Sequence, residues 1–293
     1  MYLNEDFLSQ HVISKNGLVL TRSEWNLETF DIHKTKPFLT ILTGYPNILS
    51  LFFQNILPKI QTKIVLIIIE SDIINLYPVL INNPKINHCF TWNKTLEHYK
   101  ISCMPIGLNY KKNYVSTQKI LSEYSINENV IRNPNKLLCF NCDLNTNIER
   151  KRLNQILNEK LKGKYEKVKY IKPISTIAIP SNIEGNLIVN ITNPDVYKQM
   201  LNYKFILSPA GEGLDCHRTW EAIILGCIPI VKKSSIDEIF DNLPVLILND
   251  WDELNEEFLN EKYNRIMLGK KYNIFDYQKL YLKYWLKKFN DFL

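Results

Sequence analysis

Short apolar runs rich in Ile, Leu and Val recur along this chain, separated by amphipathic segments, and that alternation most restricts the folds open to it. Lys63–Ile69 (KIVLIII) is the clearest: after Lys63 come six apolar residues without alternation, as a strand covered on both faces requires. Phe38–Leu42, Lys100–Pro105, Lys136–Asn141, Lys204–Ser208, Ile228–Val231 and Val245–Leu248 read as further strands. Helical periodicity follows several of them, as over Asn145–Lys162. Strand–helix–strand alternation in both halves predicts two doubly wound α/β domains, with ligands in the crevice beyond the strands' carboxyl ends. The polar stretch Lys111–Asn135, with Pro134 near its end, is the expected boundary. The domains are therefore drawn as 1–134 and 135–270, with 271–293 as a closing helix.

The chain's 293 residues, 45% hydrophobic and 23% charged, suffice for two buried cores. Disorder is expected at most in about the first thirty residues. The net charge of +6 suits an anionic small ligand and weak attraction to a membrane surface. Lys and Arg are scattered, which gives nucleic-acid binding no support. The start, with Asn4-Glu5-Asp6, is no secretory signal, and the longest apolar stretch is far below the roughly 20 residues of a membrane span. Six irregularly spaced cysteines are expected to be reduced thiols in a cytosol-like compartment. Asn93-Lys-Thr95 and Asn190-Ile-Thr192 are then chance matches to a glycosylation pattern.

The chemistry concentrates in Phe205–Val231, FILSPAGEGLDCHRTWEAIILGCIPIV. A strand ends at Ser208-Pro209, and Gly211 and Gly213 leave a loop of little bulk where backbone N–H groups can approach a ligand. Asp215 reads as an N-cap, Cys216–Leu225 as a helix, and Gly226 as its C-terminal stop. A helix start reached through such a loop favours anions. Arg218 in the first turn could hold a diphosphate, and Glu221, three residues on, could accept hydrogen bonds from ribose hydroxyls. The alternative is a surface ion pair on an amphipathic helix. A lone Gly-x-Gly without the third glycine of the dinucleotide fingerprint decides nothing.

This stretch resembles the C-terminal signature of the exostosin-type glycosyltransferases, especially their short viral and bacterial relatives. The likeness runs from Ser208-Pro209-x-Gly211-x-Gly213 through Leu214-Asp215-Cys216-His217-Arg218-Thr219-Trp220-Glu221-Ala222 to Gly226-Cys227-Ile228-Pro229-Ile230-Val231. It extends to Leu243-Pro244-Val245 and Asp250-Trp251. Upstream, Asn141-x-x-x-Asn145-Thr146-Asn147-x-x-Arg150 and Pro105-Ile106-Gly107-Leu108 look like the family's domain opening and its element before the linker.

The resemblance implies a GT-B fold: two Rossmann-like domains facing a cleft, with the last helix returning to the first domain. It implies an inverting hexosyl- or pentosyltransferase that uses a nucleotide-sugar donor, usually a UDP-sugar, and no cofactor. On this pattern Arg218 neutralises the leaving diphosphate and Glu221 holds the ribose. Gly211, Gly213 and His217 line the phosphate end, with Asn141 and Arg150 as further donor-site candidates. The acceptor is a glycan, glycoprotein or lipid-linked hydroxyl.

Such a transfer also needs a general base within hydrogen-bond reach of that hydroxyl. Asp72, just beyond the strand ending at Ile69, is the candidate, and a helix cap is its plainer role. Asp250-Trp251-Asp252 matches a divalent-ion pattern of another glycosyltransferase fold, but reads better as a cap, so no metal is expected. Cys139-x-x-Cys142 lacks a second pair and reads as packing. Cys216 and His217, about 100° apart on a helix, make a poor nucleophile–base pair. Two rival functions remain. One is an inactive GT-B module that binds a nucleotide or scaffolds other transferases. The other is a Rossmann-type dehydrogenase or nucleotide-sugar epimerase, against which the missing third glycine counts.

Overall fold

The computed structural model describes residue 8 and residues 18–20, 38–42, 47–69, 77–108, 134–166 and 194–293. Within them the chain forms two parallel sheets flanked by helices. The first comprises β1 (Leu18–Leu20), β2 (Phe38–Leu42), β3 (Ile64–Ile69), β4 (Ile86–Thr91) and β5 (Ile101–Cys103), paired in chain order.

The unbroken run in β3 has a direct explanation. Ile64, Leu66 and Ile68 pack with Phe52, Ile56 and Leu57 of the helical segment that starts with α1 (Asn47–Leu51), and with Leu80 of α2 (Tyr77–Asn82). Val65, Ile67 and Ile69 face the other way, onto Leu282, Trp285 and Phe289. Alternate side chains thus serve two different cores, each worth about 1.5–3 kcal/mol for burying a residue of this size.

The second sheet comprises β6 (Lys136–Cys139), β7 (Tyr165–Glu166), β8 (Tyr203–Leu207), β9 (Ile228–Lys232) and β10 (Leu246–Leu248), in the order β10-β9-β8-β6-β7. Within this half, the chain moves outward from β6 to β7 and then crosses back to β8 on the other side. The switch in direction opens a crevice between the carboxyl ends of β6 and β8. Helices α3 (Ile148–Lys160) and α6 (Glu256–Lys271) cover one face, and α4 (Pro194–Met200) and α5 (His217–Ile224) the other.

The last helix, α7 (Leu282–Asn290), lies on the first sheet, where Trp285 and Phe289 pack against Phe90. It is shorter than the 271–293 reading, because α6 runs to Lys271 and left-handed Asn273 (φ 53°) ends it. Three strands lie outside the expected set: β1, β4 and the two-residue β7. Most of the expected boundary, residues 109–133, lies outside the described residues. None of the described helices is long and apolar enough to cross a membrane.

Candidate active site

The switch-point crevice is walled by two loops that two side chains, Asn147 and Arg150, join. Asn147 caps α3 by accepting from the Glu149 N–H (2.9 Å) and donates across the crevice to the Gly211 carbonyl (2.8 Å). Arg150, only 6% exposed, sends Nε to the Ala210 carbonyl (2.9 Å) and Nη1 to the Asp143 carbonyl (3.1 Å). A Cβ at Gly211 would stand 3.0 Å from Arg150 Nη2, so the small residue makes room for this staple. Arg150 therefore fixes the loops with two of its donors. Asn141 lies half-buried in the loop after β6.

Arg218 occupies the first turn of α5 and is half-buried at the crevice. Its Nη1 is buried and has no hydrogen-bond partner among the described residues. Burial works against its charge, while the neighbouring Glu221 sustains it, so the guanidinium stays protonated. Burial pushes the thiols of Cys142 and Cys216 up, with Arg218 and Arg150 pulling the other way. An unpaired buried donor on a charged group costs about 1–3 kcal/mol or more, which an arriving anion would recover.

Glu221 sits one turn along α5 and accepts from the Tyr197 hydroxyl on α4 (3.0 Å). Burial raises its carboxyl above the usual range, opposed by Tyr197 and Arg218. Arg218 and Glu221 thus belong to one half-buried electrostatic group rather than to a solvated surface pair. Tyr197 was not foreseen, since nothing in its local pattern marks a partner 24 residues away.

The remaining expectations divide. His217 bonds through Nδ1 to the Gly107 carbonyl (2.7 Å). A carbonyl only accepts, so Nδ1 carries the hydrogen. Gly213 does not open space for a ligand: a Cβ there would run into the Asn93 amide. Asp215 is not the N-cap. That position is Cys216, and Asp215, 5% exposed, accepts from Ile106 N–H (2.8 Å), Cys216 N–H (2.8 Å) and the Trp220 indole (2.8 Å). Asn93 of the first glycosylation pattern is 1% exposed, which bars a glycan. Asp72, with Glu70 and Ser71, lies outside the described residues.

Asp250 caps the turn Trp251–Glu253 in a reciprocal capping box with Glu253. The Asp252 N–H and Arg152 together hold its carboxyl well below the usual range. Arg152 also pairs with Asp252 (2.7 Å), so these carboxylates have partners that a divalent ion would have to displace. Among the described residues no group of His, Cys, Asp or Glu is arranged to hold a metal ion. The Cys216 thiol contacts the Pro209 carbonyl (3.4 Å) while the His217 ring turns to Gly107, so the two do not act as a pair.

The carboxyl edges of the two sheets meet here. Loops after β4 (Asn93) and β5 (Ile106, Gly107) touch Asp215 and His217 at the start of α5. Set against protein-family models and against curated proteins, the chain matches none.

Proposed function

We propose that this chain is a GT-B glycosyltransferase that moves a sugar from a nucleotide diphosphate, UDP in the first instance, to an acceptor hydroxyl. One observation carries the reading: a half-buried guanidinium with one buried donor, Nη1, unsatisfied among the described residues, at the topological switch point of a parallel sheet. Such a donor matches a diphosphate oxygen, and fixed charge in a half-buried crevice favours negative charge developing on a leaving group. The resemblance of residues 203–254 to the exostosin-type signature supplies the reaction class.

In this reading Arg218 meets the diphosphate, with the N–H groups at the start of α5 beside it. Glu221, oriented by Tyr197, accepts from the ribose hydroxyls. Arg150, Asn147 and Gly211 shape the wall between. Asp72 is proposed as the base on grounds of position. It follows the last residue of β3, Ile69, by three positions in sequence. The diphosphate's charge is met by protein cations, so no metal is required.

A thermal-shift screen of nucleotide sugars, followed by donor-hydrolysis assays on the hits, tests the proposal. UDP or a UDP-sugar should raise the melting temperature of the wild type and not of Arg218→Ala. Asp72→Asn should bind donor without transferring. A larger shift from a nicotinamide cofactor than from UDP would point instead to a dehydrogenase.

A further inference from the structure

We infer that Asp215 is a positioning residue of the donor site, holding the helix that carries Arg218 and Glu221 against the carboxyl edge of the first sheet. The inference rests on the reading above but is carried by its own geometry.

The linkage starts in the first half of the chain. Asn93, just past β4, adopts the left-handed region (φ 50°), which asparagine tolerates better than most residues. Its Oδ1 accepts from the Asp215 backbone N–H (2.8 Å), and its amide lies over Gly213 too closely for any side chain there. Asp215 Oδ2 returns to the first half by accepting from Ile106 N–H (2.8 Å). Both carboxylate oxygens then lie within 3.0 Å of the Trp220 indole nitrogen, on the buried face of α5. Trp220 is two residues beyond Arg218 and one before Glu221. Asp215 thus ties two strand ends of one sheet to the helix of the other, the β4 end through its backbone N–H and the β5 end through its carboxylate.

A plain capping role does not explain this residue. Of the three N–H groups it accepts from, only that of Cys216 belongs to the helix start, and a serine or threonine hydroxyl would serve that one. Burial pushes the Asp215 carboxyl up to about 7 despite the three donors, so keeping a carboxylate here carries an energetic cost. The cost is explained if all three donors must be held at once.

The experiment uses the full chain as wild type, Asp215→Asn and Trp220→Phe, the last removing only the indole donor. Hydrogen exchange without ligand reads the clasp, and UDP titration well below each melting temperature reads its consequence. Asp215→Asn should lose protection in residues 104–108 and 217–224 together and weaken UDP binding by about tenfold or more. Trp220→Phe should do the same to a smaller degree. Unchanged exchange in 217–224 would overturn the clasp. Faster exchange with wild-type UDP affinity would leave Asp215 merely structural and overturn the positioning role. If the wild type itself fails to bind UDP, the donor-site reading falls, while hydrogen exchange still decides the clasp.

Discussion

Replacing Arg218 by methionine should separate stability from binding in opposite directions. The methionine retains most of the apolar stem that packs at the start of α5 and removes the guanidinium. With the charge goes the unpartnered Nη1, whose burial costs about 1–3 kcal/mol. Allowing for imperfect packing of the sulfur and for the lost attraction to Glu221, folding should gain at most about 1 kcal/mol, a rise of no more than about 2–4 °C in melting temperature for a chain of this size. Donor binding should move the other way. Losing charge-assisted hydrogen bonds to a diphosphate costs about 2–4 kcal/mol, or roughly 30- to 1000-fold in Kd. Differential scanning calorimetry and UDP titration on the same samples read both effects. A variant that melts lower than wild type and binds UDP equally well would refute the reasoning, because Arg218 would then be a structural cation.

Three further outcomes follow from particular contacts. His88 is 2% exposed, its Nε2 lies 2.8 Å from Ser102 Oγ, and burial lowers its pKa from 6.5 to about 4 with Glu238 partly opposing. The unfolded chain therefore binds the extra proton between those values, so the neutral ring's contribution is intact above pH 6.5 and lost as pH falls toward 4. The loss is about 2 kcal/mol by pH 5, and urea unfolding should show wild type losing that much more than His88→Phe between pH 7.5 and 5. Gly213→Ala should destabilise by about 1–3 kcal/mol because its methyl group meets the Asn93 amide. Asn93→Gly removes the clashing amide together with its bond to the Asp215 N–H, so the Gly213→Ala penalty should be smaller in the Asn93→Gly background than in wild type, and an equal penalty in thermal unfolding would place the clash elsewhere. Asp250→Ala should lower the melting temperature through its lost capping box yet leave sugar transfer unchanged, with or without EDTA.

Legibility in the sequence followed the range of the interactions involved. The β3 run announced burial on both faces because every residue in it is apolar, whichever core it joins. The capping box at Asp250 and the stop at left-handed Gly226 were local and readable. β4 was not: Asn87 and His88 break its apolar pattern, and they are satisfied by Phe292 and Ser102. The Phe292 partner lies some two hundred residues on in sequence. Asp215 looked like a cap for the same reason, since Ile106, which claims its second oxygen, is 109 residues away. Arg218 and Glu221 were visible as a one-turn pair, but only the fold shows them half-buried at the switch point beside Tyr197. Gly211 and Gly213 stand out in the sequence as a loop of little bulk open to a ligand, but a Cβ at either position would meet another side chain of the protein. What fills the space is Arg150 and Asn93, respectively.

The most direct measurement is a crystal structure of the chain with a bound UDP-sugar. The account predicts the diphosphate on Arg218 Nη1 at the start of α5 and the ribose on Glu221, in the crevice between β6 and β8. Nucleotide bound elsewhere, with Arg218 Nη1 still unpartnered, would contradict it.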